Sequence, residues 1–146
     1  MDDNILQKLK IEVKKRNLKY TKQREEVLHI ICNSNKHLNA EEIHTQIKDK
    51  YPNSTTGIAT VYKSLIFLEE ANLISSISIN NKGKKFEASY KKHHDHLICL
   101  NCHKIIEFLD DTIEIKQEEI AKKNNFTLVS HAMYLYGLCE KCNKKK

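Results

Sequence analysis

The chain has 146 residues, 40% hydrophobic and 30% charged, and carries a net charge of +6. That composition excludes a disordered chain and fits one ordinary domain or two small ones. No apolar run is long enough to cross a bilayer, and the acidic start Met1-Asp2-Asp3-Asn4 lacks the apolar core of a signal peptide, so a cytoplasmic protein is expected.

The charge is uneven. Residues 1–91 hold 16 Lys and Arg against 11 Asp and Glu, whereas residues 92–146 hold 9 against 8, three of them in the tail Lys144–Lys146. A phosphate-binding front half would show this asymmetry, as would lysines that merely keep a small protein in solution. In chain order, Ile5, Leu6, Leu9 and Val13 fall at helical spacing and predict a helix over 4–16. Thr21 can cap a second helix that turns Val27, Leu28, Ile30 and Ile31 inward. Asn39 with Glu42 forms a capping-box variant that starts a third, with Ile43 and Ile47 inward, and Pro52 closes it. A fourth helix over 57–71 carries the stripe Ile58, Val61, Leu65 and Leu68.

The period then drops from 3.6 to 2. Residues 74–79 and 84–89 read as strands around the turn Asn80-Asn81-Lys82-Gly83. Helices followed by a basic-tipped hairpin follow the plan of a winged helix-turn-helix, in which the last helix enters the major groove; an inert helical domain would show the same periodicity. The expected boundaries are a winged helix over 1–89, a hinge at 90–92 and a metal-binding module over 93–146. In that module, strands are expected over 96–100 and 104–109, a helix capped by Asp111 up to about Asn124, and a third strand over 126–136. The fold class is α+β, and so small a second half calls for zinc cross-linking and dimerisation.

Chemistry concentrates in the second half. Cys99-Leu-Asn-Cys102 and Cys139-Glu-Lys-Cys142 are two CxxC turns, each able to present two sulfurs to one ion, and together they predict a closed structural zinc site. A thiol redox pair and an iron–sulfur centre are the alternatives. Cys32 lies in an apolar helical run and reads as a packed small residue. His93, His94, Asp95 and His96 alternate along an extended segment, which points 94 and 96 to one side and 93 and 95 to the other. Four consecutive residues thus permit two metal sites, although a histidine run can equally be a solvated loop. Imidazole with carboxylate suits Fe(II), Mn(II), Co(II) or Zn(II), and occupancy is expected to fall below about pH 6.5 as imidazole protonates. No HExxH and no nucleophile–base constellation is present, so an enzyme is not expected; a metal-storage module would leave the helix-turn-helix without a purpose.

The segment Gly57-Ile-Ala-Thr-Val-Tyr-Lys-Ser-Leu, the run His-His-Asp-His-Leu-Ile-Cys-Leu-Asn-Cys, Ile-Glu-Phe, Ser130-His131, Tyr134-Leu-Tyr-Gly and the final CxxC together resemble the ferric uptake regulators, with matching spacing from about Leu18 to Cys142. The resemblance implies a homodimeric winged-helix repressor, with a tetramer as the alternative assembly, that binds double-stranded DNA when metal is bound. It implies that Cys99, Cys102, Cys139 and Cys142 hold structural Zn(II). His37, Glu87, His94, His96 and Glu107 match a regulatory site for Fe(II), for which Mn(II), Co(II) or Zn(II) can substitute. His93, Asp95, Glu114 and His131 match an additional site. For DNA it implies Tyr62 at base edges, Lys19 near the minor groove, and Arg24, Thr60 and Lys63 as further contacts. Lys63 stands where relatives usually carry Arg, which keeps the charge but loses the planar fork. Glutamates at 87 and 107 favour an iron-responsive repressor of iron-acquisition genes acting at AT-rich inverted repeats; a peroxide-, manganese- or zinc-sensing regulator is the alternative.

Overall fold

A computed structural model describes residues 3–80 and 83–144. Two residues of the expected wing turn, Asn81 and Lys82, lie outside the described residues, as do the last two of the lysine tail. The chain divides into two compact units, Met1–Lys91 and Lys92–Lys146.

The first unit contains α1 (Asp3–Lys15), α2 (Lys22–Cys32), α3 (Ala40–Lys50), α4 (Ile58–Glu70) and a two-stranded antiparallel sheet of β1 (Ile74–Ser78) and β2 (Lys84–Ala88). Local chemistry sets the helix ends. Thr21 accepts from the Arg24 amide at the start of α2, and Asn39 and Glu42 form a reciprocal capping box at α3. Asn17 and Asn72 take left-handed backbone just beyond α1 and α4, where a short polar side chain tolerates the turn. Leu9, Val27, Leu28, Ile43, Ile47, Val61 and Leu68 are wholly buried and make one core from all four helices. The expected stripe on α4 shifts at its start: Ile58 is exposed, while Ser64 and Phe67 are buried. Ile58 is the first residue of α4 and lies outside the buried core cluster.

Gly57 gives α4 no side-chain cap. The loop before it is held instead by buried Glu26, which accepts from Ser54 Oγ at 2.6 Å and Thr56 Oγ1 at 2.7 Å. Leu38 and Phe86 exchange backbone hydrogen bonds, tying the wing to the segment before α3.

The second unit contains β3 (Asp95–Cys99), β4 (Ile105–Phe108), α5 (Asp111–Lys123), β5 (Tyr134–Gly137) and the short α6 (Glu140–Asn143). β3 lies centrally, antiparallel to β4 and parallel to β5. Two expectations need correction. The cap of α5 is Asp110, not Asp111: Asp110 has the extended backbone and accepts from Thr112 and Ile113. The third strand covers only 134–137 instead of 126–136, because β3 offers a pairing edge only to its last residues. Few side chains are buried here, namely Asp95, His96, Ile98, Cys99 and Ala121, and a broad set of apolar groups stays exposed, including Ile106, Phe126, Val129 and Leu135.

Candidate metal centres and nucleic-acid face

The four expected cysteines converge. Cys99 ends β3, Cys102 follows in the turn to β4, and Cys139 and Cys142 flank and enter α6. Their sulfurs all lie within 4.8 Å of one another, with Cys102 Sγ to Cys139 Sγ at 3.6 Å. Four ligands at about 2.3 Å around tetrahedral zinc stand about 3.8 Å apart, so donor set and spacing both fit the ion. The backbone prepares one ligand: amides of Cys102 and Cys139 directed at the Cys99 sulfur hold its thiol down to about 5. His103, in the same turn, takes positive φ of 60°, which folds the chain back for β4.

The second cluster lies within the same unit. His93 precedes β3, Asp95 begins it, Glu114 sits in the first turn of α5, and His131 lies before β5. His131 Nε2 is 3.2 Å from Glu114 Oε1 and 3.8 Å from Asp95 Oδ1; His93 Nε2 is 3.5 Å and 3.7 Å from the same two oxygens. The two imidazoles meet edge to face with centroids 4.2 Å apart. Asp95 is fully buried, and neither of its oxygens accepts a hydrogen bond among the described residues. A buried carboxylate in that state, facing two imidazoles, fits a divalent cation better than it fits a packed core.

The remaining expected ligands fall in both units, and each set is ordered within its own. In the first, His37 Nε2 lies 3.3 Å from Glu87 Oε2, both side chains buried, with Lys91 Nζ also 3.3 Å from that oxygen. In the second, His94 Nε2 lies 3.7 Å from Glu107 Oε1, and the His94 and His96 rings are 4.7 Å apart. Cross-strand pairing sets His96 opposite Glu107, and His96 stacks on Tyr134. His94 Nδ1 meets the Lys92 carbonyl at 2.7 Å. That contact makes Nδ1 the donor and leaves Nε2 its lone pair, the usual way in which an outer partner orients a ligating imidazole.

Residues expected at DNA lie on the first unit. Thr60, Tyr62 and Lys63 are on α4, with Tyr62 and Lys63 exposed, and Lys19 is exposed between α1 and α2. Arg24 is engaged: its guanidinium lies 4.2 Å over the Phe67 ring and donates to the Lys19 carbonyl at 3.1 Å. Tyr62 donates to Glu41 Oε1 at 2.7 Å. Neither Glu41 nor Glu26 stood out in the sequence, because a side-chain pairing between distant segments leaves no periodic signal. Only the Ser54-Thr55-Thr56 run hinted that hydroxyls awaited an acceptor.

A winged helix-turn-helix joined to a small α+β unit with a thiolate zinc site and an imidazole–carboxylate cluster defines a metal-responsive transcription regulator. Residues 15–136 match the ferric uptake regulator family. The ferric uptake regulation protein of Campylobacter upsaliensis is 47% identical over 143 residues, which span 98% of this chain and 92% of that protein. A solved structure of the Helicobacter pylori ferric uptake regulator Fur, reported to have three functional metal binding sites, superposes with a TM-score of 0.87 at 44% identity, covering 97% of this chain and 93% of that one. The Campylobacter jejuni peroxide stress regulator shares the scaffold more loosely, with a TM-score of 0.68 at 30% identity over 97% of this chain and all of that one. The chain belongs to the ferric uptake regulator family.

Proposed function

We propose that this protein is an Fe(II)-responsive repressor that binds AT-rich inverted repeats before iron-acquisition genes in the cytoplasm. The carrying observation is the set of oriented imidazoles and carboxylates around β3, above all His94, whose Nδ1 is tied to the Lys92 carbonyl while Nε2 lies toward Glu107. In this reading one regulatory ion takes His37 and Glu87 from the first unit and His94, His96 and Glu107 from the second. Metal then binds one arrangement of the units better than others and shifts the population toward it. His93, Asp95, Glu114 and His131 hold a further ion, and the four cysteines hold zinc.

The DNA face is α4 with Lys19, with Tyr62 directed at bases and Thr60, Lys63 and Arg24 as supporting residues. A second copy covers the apolar side chains that the second unit exposes, Ile106, Phe126, Val129 and Leu135 among them. Glutamates at 87 and 107, and the higher likeness to ferric uptake regulators than to the peroxide regulator, support iron over peroxide sensing.

The test is anaerobic fluorescence anisotropy of zinc-loaded protein on an AT-rich inverted repeat from its own upstream region, at one fixed salt concentration. Fe(II), Mn(II) and Zn(II) are titrated separately. Affinity should tighten with Fe(II), and the response should vanish in His94→Ala/His96→Ala. Tight binding indifferent to metal would remove the switch.

A further inference from the structure

The contact between Tyr62 and Glu41 has a chemical direction. A phenol carries one proton and can donate only once, while its oxygen keeps lone pairs that accept. Here the proton is directed at a carboxylate oxygen 2.7 Å away. Such an ionic O–H···O⁻ bond is about twice as strong as a neutral one, so a neutral base edge competes poorly for the proton.

Three features keep the acceptor in place and charged. Glu41 is the second residue of α3, where the positive end of the helix favours an anion. The capping box of Asn39 and Glu42 fixes that first turn, and the Thr45 hydroxyl holds the Glu41 carbonyl at 3.0 Å. Tyr62 in turn is fixed by α4, whose Val61 and Leu65 are buried on either side of it in sequence. The effect is mutual: the hydrogen bond from Tyr62 lowers the pKa of Glu41, and the same bond raises that of Tyr62.

We propose that Glu41 sets the hydrogen-bond polarity of Tyr62 and so acts as a specificity-determining residue of the DNA face, presenting the phenol to the major groove as an acceptor. This rests on the reading above that Tyr62 lies at base edges. An acceptor meets the amino groups of adenine N6 or cytosine N4 and is refused by thymine O4 and by guanine O6 and N7. It is refused equally by phosphate oxygens, which accept only. The pair therefore steers Tyr62 away from backbone contacts.

The experiment uses the full-length, zinc-containing protein loaded with Mn(II), and four operators that differ only at the base pair where Tyr62→Phe alters preference. Wild type should favour the operators that place an amino group beneath Tyr62. Glu41→Ala frees the phenol O–H to donate elsewhere, and this preference should fall by roughly three- to tenfold, the value of one net hydrogen bond. In a Tyr62→Phe background, Glu41→Ala should leave base preference unchanged. Zinc content and thermal unfolding confirm that each variant is folded, and Glu41→Gln supplies an isosteric control.

If Glu41→Ala tightens binding to all four operators by the same factor, Glu41 is only a repulsive charge and the proposal is overturned. A preference that survives Glu41→Ala overturns it as well. If Tyr62→Phe and Tyr62→Ala leave every operator unaffected, the base-edge reading of Tyr62 fails, and the proposal fails with it for that distinguishable reason.

Discussion

Arg24 is tied into the first unit by two contacts. Its guanidinium lies over Phe67 of α4 and donates to the Lys19 carbonyl, while Arg16 lies 5.3 Å from the same ring and pairs with Glu70 at 2.9 Å. Burial lowers the pKa of the Arg24 guanidinium, and the negative face of the ring attracts the cation. Arg24→Gln should cost roughly 1–2 kcal/mol of stability through the lost stack and hydrogen bond. It should leave the salt dependence of operator binding unaltered. A direct phosphate contact would instead lower the slope of log affinity against log salt by about 1, so the slope separates the two roles. Tyr62→Ala should weaken operator binding at unchanged zinc content and dimerisation; undiminished affinity would take it off the recognition surface.

The helices obey their ends. Asn39→Ala removes the side-chain half of the α3 capping box and should destabilise the protein by about 1 kcal/mol, read by urea unfolding with an unchanged slope. Asp110→Ala should do the same at α5. The starts of α2 and α3 were legible because capping chemistry is local: a Thr or Asn meets an amide three residues on. The choice between Asp110 and Asp111 was not legible, since both can cap and only the backbone before α5 decides. The reach of β5 was also hidden, because a strand needs a partner edge, and periodicity in residues 126–133 says nothing of where β3 lies. The cysteine turns and the alternation of His93 to His96 were legible, since ligand spacing is short-range. The tie of His94 to the Lys92 carbonyl and the bond of Tyr62 to Glu41 required the folded chain.

The two units differ in what holds them. The first has a continuous core drawn from four helices and a wing, whereas the apolar side chains that the second buries among the described residues are Ile98, Cys99 and Ala121. A thiolate zinc site therefore contributes a large share of the second unit's folding free energy. Stripping zinc with a strong chelator should melt the second unit and dissociate the dimer while most helical circular dichroism, which comes from the first unit, persists. Cys99→Ser should act alike, and a single cooperative transition shared by both units after chelation would contradict this.

The register of β3 constrains the length of the chain around it. Its neighbouring residues His93 and Asp95 face one ligand set, His94 and His96 the other, and Cys99 closes the strand at the zinc turn. Since side chains alternate with a period of two, adding or deleting one residue here would hand each set the other's partners. The length of this stretch should therefore be as fixed between relatives as its ligands. The irregular segment 126–130, with no strand register to keep and no ligand in it, is where insertions and deletions should accumulate instead.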